Sequence, residues 1–416
     1  MLDIKFIKDN IDLIKEAVKK KRLTLDLDEL LKAEAKRLEL VGEVEAMRQK
    51  QNEANQKMAS RATDKLLFEM QELKKNLQQK EEELKEVMKT WQRLMLEVPN
   101  LPDVEVPDGD SDAQNVSLRQ VGKPPTFDFE PKNHIDLMTD LDLIDTVAGA
   151  KVAGFRGYFL KNAGAILSLA IWQLGLNELV KKGFTPMLVP SLVRKESFMG
   201  TGYLPQGIED LYRTQDDEYL AGTAEVATMG YFMDQVLSTD ELPKKIVAFS
   251  PCFRREAGSH GKDTKGLYRV HEFFKVEQVV ICPADHEESV HWHEALLANA
   301  EELMQLLELP YRVVINCSGD LGLGQVKKYD IEVWVPSENR YRETHSISYF
   351  HDFQTRRLNI KCQDDQGRKH FAHSLNGTAY ATPRLLIALL ENHQQADGKI
   401  AVPKALVKYL GQETIS

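Results

Sequence analysis

Between Cys252 and Glu277 the chain reads CFRREAGSHGKDTKGLYRVHEFFKVE, a hairpin-sized segment with paired arginines, paired glutamates and an aromatic residue. Arg254 ends one strand-like run and Arg269 stands near the start of the next, so an antiparallel pairing would turn both toward one cleft. Guanidinium forks suit phosphate oxygens. Phe273 offers a face on which a purine can stack, and Arg384, from a later helix, could cover the other face. Glu256 is an acceptor suited to an exocyclic amine, and Glu277 would lie deeper along the strand. Any one of these charges taken alone reads first as an exposed cross-strand ion pair worth under about 1 kcal/mol. Several of them alternating about a Gly-rich loop favour a site for a polyanion.

Two further signals are weaker alone. In RYRETHSISYFHDFQTRRLN, Glu343 and Ser346, three residues apart, give a carboxylate and a hydroxyl near one another. Hard oxygens of this kind hold Mg²⁺, usually together with substrate phosphates. In GTAEV, Thr223 and Glu225 share a strand face and could receive an ammonium group.

The elements that must carry these residues fall into two parts. From Leu66 the positions Met70, Leu73, Leu77, Lys80, Leu84, Val87, Trp91, Leu94 and Val98 follow in steps of four and three, a heptad seam with one polar interruption. A weaker seam runs through Ala33, Leu40, Val44, Met47, Ala54 and Met58, and Thr63 or Asp64 can cap the second helix. The spacing predicts an antiparallel helical hairpin over about residues 28–98, with arms of roughly 45–50 Å that project from any compact domain. By pattern alone it is a dimerising or spacer coiled coil. It ends at VPNLPDVEVPDGDSD, where prolines and Asp-Gly deny a helix. A polar connector (106–130) follows, then helical segments, and from Phe184 a series of strand-like runs joined by hairpin-type connections, which predicts an antiparallel sheet.

Composition bounds the rest. The 416 residues suffice for two domains, and 42% apolar with 28% charged is globular usage. No apolar run approaches the roughly 20 residues of a membrane span, and the N-terminus resembles neither a signal nor a transit peptide. Cys252, Cys282, Cys317 and Cys362 show no CxxC spacing, so reduced thiols and no structural zinc are expected. A net charge of −10 argues against indiscriminate adhesion to nucleic acid but not against a local basic surface.

Taken in order, these stretches resemble the bacterial-type seryl-tRNA synthetases of class II over nearly the full chain. MLDIKFIKDN and the hairpin match the family's tRNA-binding domain (1–105). GFTPMLVPSLV, with Pro190, resembles motif 1 (about 183–193). The opening segment is motif 2 (about 247–281), and HSLNGTAYATPRLLIALLENHQ is motif 3 (about 373–394), all within a catalytic domain at 131–416. The resemblance implies an α+β fold, an antiparallel catalytic sheet with an N-terminal coiled-coil arm, in a cytoplasmic homodimer built through motif 1. It implies ATP and Mg²⁺, L-serine and tRNA(Ser), with tRNA(Sec) as a further substrate and no membrane partner.

Carried over by motif, Arg254 takes the α-phosphate and the serine carboxylate, Arg269 the γ-phosphate, Glu256 the adenine amine, and Phe273 with Arg384 the base. Arg254, Arg269 and Arg384 are thereby the catalytic arginines. Glu343 and Ser346 serve Mg²⁺, with Thr344 and His345 beside them at the nucleotide. Arg255 joins the nucleotide set, although strand alternation turns its side chain away. Thr223, Ala224, Glu225, Glu277, Asn376 and Thr378 form the serine pocket. Lys57, Arg61, Lys65, Lys74 and Lys75 are candidate tRNA contacts on the arm, and the loop between Arg254 and Arg269 would meet the tRNA acceptor end.

The chain departs from the family pattern at His345, Tyr349, Gly222 and Glu272, and in GTAYATPR, where Pro383 stiffens the start of the helix. Two rival readings are a ligase loading an amino acid onto a carrier protein, for which a tRNA arm has no use, and a non-catalytic tRNA-binding paralogue, which would have lost the motif arginines or pocket glutamates.

Overall fold

A computed structural model describes residues 2–60, 63–258, 263 and 266–416, with Lys57, Ala59 and Ser60 described as backbone only. The chain divides into two compact units, Met1–Pro99 and Asn100–Ser416.

In the first unit the seams become two helices, α1 (Leu27–Ser60) and α2 (Asp64–Glu97). The Thr63 hydroxyl caps α2 by accepting from Leu66 N at 3.3 Å. Leu40, Val44, Leu77 and Leu94 are buried along the contact. The polar interruption is matched: Lys80 Nζ lies 2.8 Å from Glu43 across the seam and 3.3 Å from Glu83. Exposed Arg48–Glu81 and Arg93–Glu29 pairs at 2.8 and 3.2 Å cross the antiparallel hairpin.

The second unit is built on eight strands: β1 (Val116–Val121), β2 (Thr185–Leu188), β3 (Lys244–Phe253), β4 (Glu272–Cys282), β5 (Tyr311–Ile315), β6 (Lys327–Val335), β7 (Arg340–Tyr349) and β8 (His373–Thr382). Their order is β1-β5-β6-β7-β8-β4-β3-β2. All neighbours are antiparallel except β2 and β3. Five helices matter for the site: α3 (Asn162–Lys181), α4 (Ala224–Tyr231), α5 (His286–Leu306), α6 (Phe353–Leu358) and α7 (Arg384–Asn392). Leu167, Ile171 and Leu174 of α3, Leu296 and Leu303 of α5 and Leu386 of α7 share one core with Val276, Val280 and Ile347 of the sheet.

Two expectations are corrected here. The boundary falls at residue 99/100 rather than 105/106. Asn100 donates Nδ2 to the carbonyls of Gly324 and Phe350 at 3.1 and 2.7 Å, and Asp103 N donates to Val326 O. The segment 106–130 also contributes β1, an edge strand paired with β5. Its residues are almost all exposed, so no apolar alternation marks it as a strand.

The second correction concerns apolar runs, because α3 is by length and composition apolar enough to cross a membrane. Ser168, Gln173 and Asn177 interrupt the run and hide it in a plain reading. One face of α3 fills the core, while Ile166 and Leu169 on the other are 46% and 53% exposed. Helix and sheet approach closely at Gly175, where an added Cβ would stand 2.7 Å from the Tyr380 ring.

Candidate active site

Two β-bulges shape the cleft. Across β6 and β7, Ile331 faces His345 and Glu332 faces Glu343, which leaves Thr344 as the extra residue. Residues three apart on a regular strand point to opposite faces. The bulge instead turns both Glu343 and Ser346 into one cleft. Between β4 and β8, Val276 faces Tyr380 and Glu277 faces Thr378, so Ala379 is extra and Thr378 and Ala381 share the cleft.

His345 ties the two bulges together. Its Nε2 lies 2.8 Å from Ala379 O and its Nδ1 2.7 Å from the Thr344 hydroxyl. A carbonyl only accepts, so Nε2 carries the proton and Nδ1 accepts from Thr344. Burial pushes the imidazole down to about 4, and the ring is neutral. His345 is 1% exposed and does not line the cleft, which corrects its expected place beside the nucleotide.

The cleft has a volume of about 230 Å³. Of the expected nucleotide residues, Arg254, Glu256, Phe273, Glu343, Thr344, Ser346 and Arg384 line it. Of the amino-acid residues, Glu225, Glu277, Asn376 and Thr378 do. The Arg254 guanidinium lies 5.2 Å from the Phe273 ring centre. Arg384 donates Nε to Tyr268 O at 3.2 Å, and its Nη1 is 3.4 Å from a Glu343 oxygen. Desolvation in the cleft raises the carboxyl of Glu343, whose side chain is 50% exposed, but Arg384, Lys328 and Arg254 outweigh it and hold the group below the usual carboxylate range.

Arg269 is tied into ion pairs beside the cleft, 2.9 Å from Glu256 and 3.1 Å from Asp263. Arg342, which sequence reasoning missed, holds the other Asp263 oxygen at 2.8 Å. Arg255 is exposed and does not line the cleft; its backbone N–H is held by Asp210 O at 2.9 Å. Its expected nucleotide contact is corrected accordingly. Arg255→Ala is expected to change the KM for ATP by less than about 3-fold, as for a solvated charge, measured by pyrophosphate exchange.

At the amino-acid end Glu277 is 2% exposed, with Lys275 Nζ at 2.6 Å and the Thr378 hydroxyl donating at 3.4 Å. Burial pushes its carboxyl up, against the pull of Lys275 and Arg254. GTAEV is not a strand. Thr223 is the N-cap of α4, its hydroxyl accepting from Glu225 N at 3.2 Å, and Ala224 packs into an apolar cluster with Met229 and Ile246. Thr223 and Ala224 therefore stay out of the cleft and place Glu225 on the first turn of α4. A capping threonine before Ala-Glu-Val-Ala favours a helix, but the run is too short to show a helical period.

Both Glu225 oxygens are engaged, one by Gln354 Nε2 at 2.6 Å and one by the Tyr203 hydroxyl at 3.1 Å. Sequence reasoning missed Lys275, although it stands two positions from Glu277 on one strand face. Tyr203 and Gln354 arrive from separate loops and helices and carry no local signal.

A family model for the seryl-tRNA synthetase N-terminal domain matches residues 1–102. Another, for the class II tRNA synthetase core domain of the G, H, P, S and T enzymes, matches 209–393. The serine–tRNA ligase of Deinococcus radiodurans is 46% identical over 416 residues, covering 99% of this chain and 98% of that protein. The chain belongs to the seryl-tRNA synthetases.

A seryl-tRNA synthetase of Pyrococcus horikoshii, solved in complex with ATP, superposes with a TM-score of 0.90 at 38% identity over 100% of this chain and 99% of that one. The cytoplasmic serine–tRNA ligase of Naegleria fowleri, solved with AMP, gives 0.85 at 30% identity over 100% and 99%. The family resemblance of the motifs thus extends over the whole chain, hairpin and sheet alike.

Proposed function

We propose that this seryl-tRNA synthetase condenses L-serine with ATP to seryl-adenylate and passes the seryl group to the 3′ end of tRNA(Ser). The observation that carries this reading is one cleft holding phosphate-type arginines at one end and two buried glutamates at the other. Attack of a carboxylate on the α-phosphorus needs placement and charge neutralisation more than a strong base. Arg254, between the two ends, meets both the serine carboxylate and the α-phosphate. Glu256 reads the adenine amine, Phe273 and Arg384 sandwich the base, and Arg269 exchanges its carboxylate partners for γ-phosphate oxygens. Glu277 accepts from the substrate hydroxyl and Glu225 takes the ammonium.

Glu343 and Ser346 fit Mg²⁺: both offer hard oxygens to the same cleft, and Glu343 is held ionised. Bound there with the phosphates, the ion would neutralise their charge. The arm is the tRNA-binding element, contacting backbone and shape rather than base edges. Lys65, Lys74 and Lys75 are exposed on α2, while the side chain of Lys57, Arg61, and residues 259–262 and 264–265 of the motif 2 loop lie outside the described residues. In a host that makes tRNA(Sec), that RNA is a second substrate.

A second copy covers the apolar groove lined by Phe155, Ile166, Leu169, Leu188 and Phe274. Support comes from α3, which is apolar on both faces, and from the motif 1 edge strand β2, where Leu188 is 83% exposed. Leu188→Asp is expected to shift the dimer toward monomer in light scattering at micromolar protein, and an unchanged mass contradicts the assignment. The four cysteines are unpaired and buried, which supports a reducing, cytoplasmic setting. The proposed activity is tested by serylation of tRNA(Ser) transcripts with ATP and labelled serine.

A further inference from the structure

The amino-acid end of the cleft holds two buried carboxylates in different company. Glu277 has a cation, Lys275 Nζ, at 2.6 Å. Glu225 is equally buried, at 2% exposure, yet among the described residues no cationic side chain stands within ion-pair distance of it. Its oxygens are held by neutral donors, the Gln354 amide at 2.6 Å and the Tyr203 hydroxyl at 3.1 Å. Gln354 is itself fixed: Ser374 donates to its oxygen at 2.8 Å, and its nitrogen also reaches Thr201 O at 3.3 Å. The amide therefore cannot turn over. Tyr203 lines the cleft beside Glu225 and Glu277, and its backbone carbonyl is anchored by Gly207 N at 2.8 Å.

Neutral donors orient a carboxylate without cancelling its charge. A buried carboxylate held this way retains its capacity for one cation, and a cation entering the cleft finds it pre-aimed. We propose that Tyr203 is a positioning residue of the amino-acid pocket, its hydroxyl and the Gln354 amide fixing Glu225 as the receptor for the α-ammonium group of the substrate. The assignment rests on the serine-activation reading and adds to it a residue outside the family motifs. Lys275 satisfies Glu277, so the two carboxylates divide their work, Glu277 toward the hydroxyl and Glu225 toward the ammonium.

The assignment has a consequence for pH. Burial raises the Glu225 carboxyl, while the Gln354 and Tyr203 hydrogen bonds pull it down; Lys275 also lowers it and Glu277 raises it. The ammonium binds the ionised form, so the KM for serine rises as pH falls through this group. Removing one donor moves that acid limb to higher pH.

Tyr203→Phe keeps the ring and removes only the donor. In serine-dependent ATP–pyrophosphate exchange, with the full-length enzyme, its serine KM is expected to rise about 10-fold, the loss of one hydrogen bond to a charged group. The acid limb should move to higher pH and the KM for ATP should not change. An unaltered serine KM, an unmoved acid limb, or an equal rise in both KM values overturns the assignment. Absence of serine-dependent exchange in the unsubstituted enzyme removes the serine reading itself, and this assignment with it.

Discussion

Glu277→Gln is expected to lower kcat/KM for serine activation by about 10²–10³-fold while ATP affinity stays within about 3-fold. The side chain is 2% exposed and paired with Lys275 at 2.6 Å, so the substitution leaves a buried ammonium without its counter-charge and a serine hydroxyl without its acceptor. Truncating one partner of a buried charge pair costs on the order of 2–5 kcal/mol, which sets the range. The nucleotide end is formed by Arg254, Glu256, Phe273 and Arg384 and does not depend on that carboxylate. Glu277→Ala adds a loss of fold stability of about 3–5 kcal/mol, visible as a lowered Tm, because the buried Lys275 ammonium then loses its hydrogen-bond partner at 2.6 Å as well as its counter-charge. Isothermal titration with ATP and exchange kinetics with serine separate the two effects. Retained serine selectivity in the Gln variant would refute the role given to Glu277.

The second large effect concerns the arm. Replacing residues 33–91 by a short Gly-Ser turn should leave serine-dependent exchange within about 2-fold and reduce tRNA charging by at least about 100-fold, the loss expected when several phosphate contacts go. The cleft residues all lie in the unit Asn100–Ser416, whose sheet and core are formed within that unit. What remains of the hairpin keeps Leu30 and Leu94 at its base. Charging by the intact protein should weaken steeply with salt, and the residual charging by the truncated one should not. Equal loss of exchange and charging would contradict the assignment of the arm to tRNA.

Legibility in the sequence followed the range of the interactions. The heptad seam of α1 and α2 is a local period, and Lys80, which breaks it, turned out to be answered by Glu43 across the hairpin. The strand alternation around Arg254 and Phe273 was likewise local, and both residues line the cleft. What escaped depends on counts made between strands. Nothing within RETHSIS marks Thr344 as the unpaired residue that carries Glu343 and Ser346 to one face; that is set by the register against β6. The same bulge places His345 inward, where its ring joins Thr344 to Ala379. Tyr203 and Gln354 meet Glu225 from positions far apart in the chain, a juxtaposition that only the fold creates. The edge strand β1 and the capping role of Thr223 were hidden for a different reason, since an exposed strand and a two-turn helix are too polar or too short to show a period.

The most direct test of the central claim is ATP–pyrophosphate exchange by the purified protein with each standard amino acid in turn. The expected result is exchange dependent on serine and discriminating by orders of magnitude against alanine and cysteine, which leave the Glu277 acceptor unmet. Transfer of serine to tRNA(Ser) should follow, and exchange without transfer would point to a carrier-protein ligase. No exchange with serine would contradict the account.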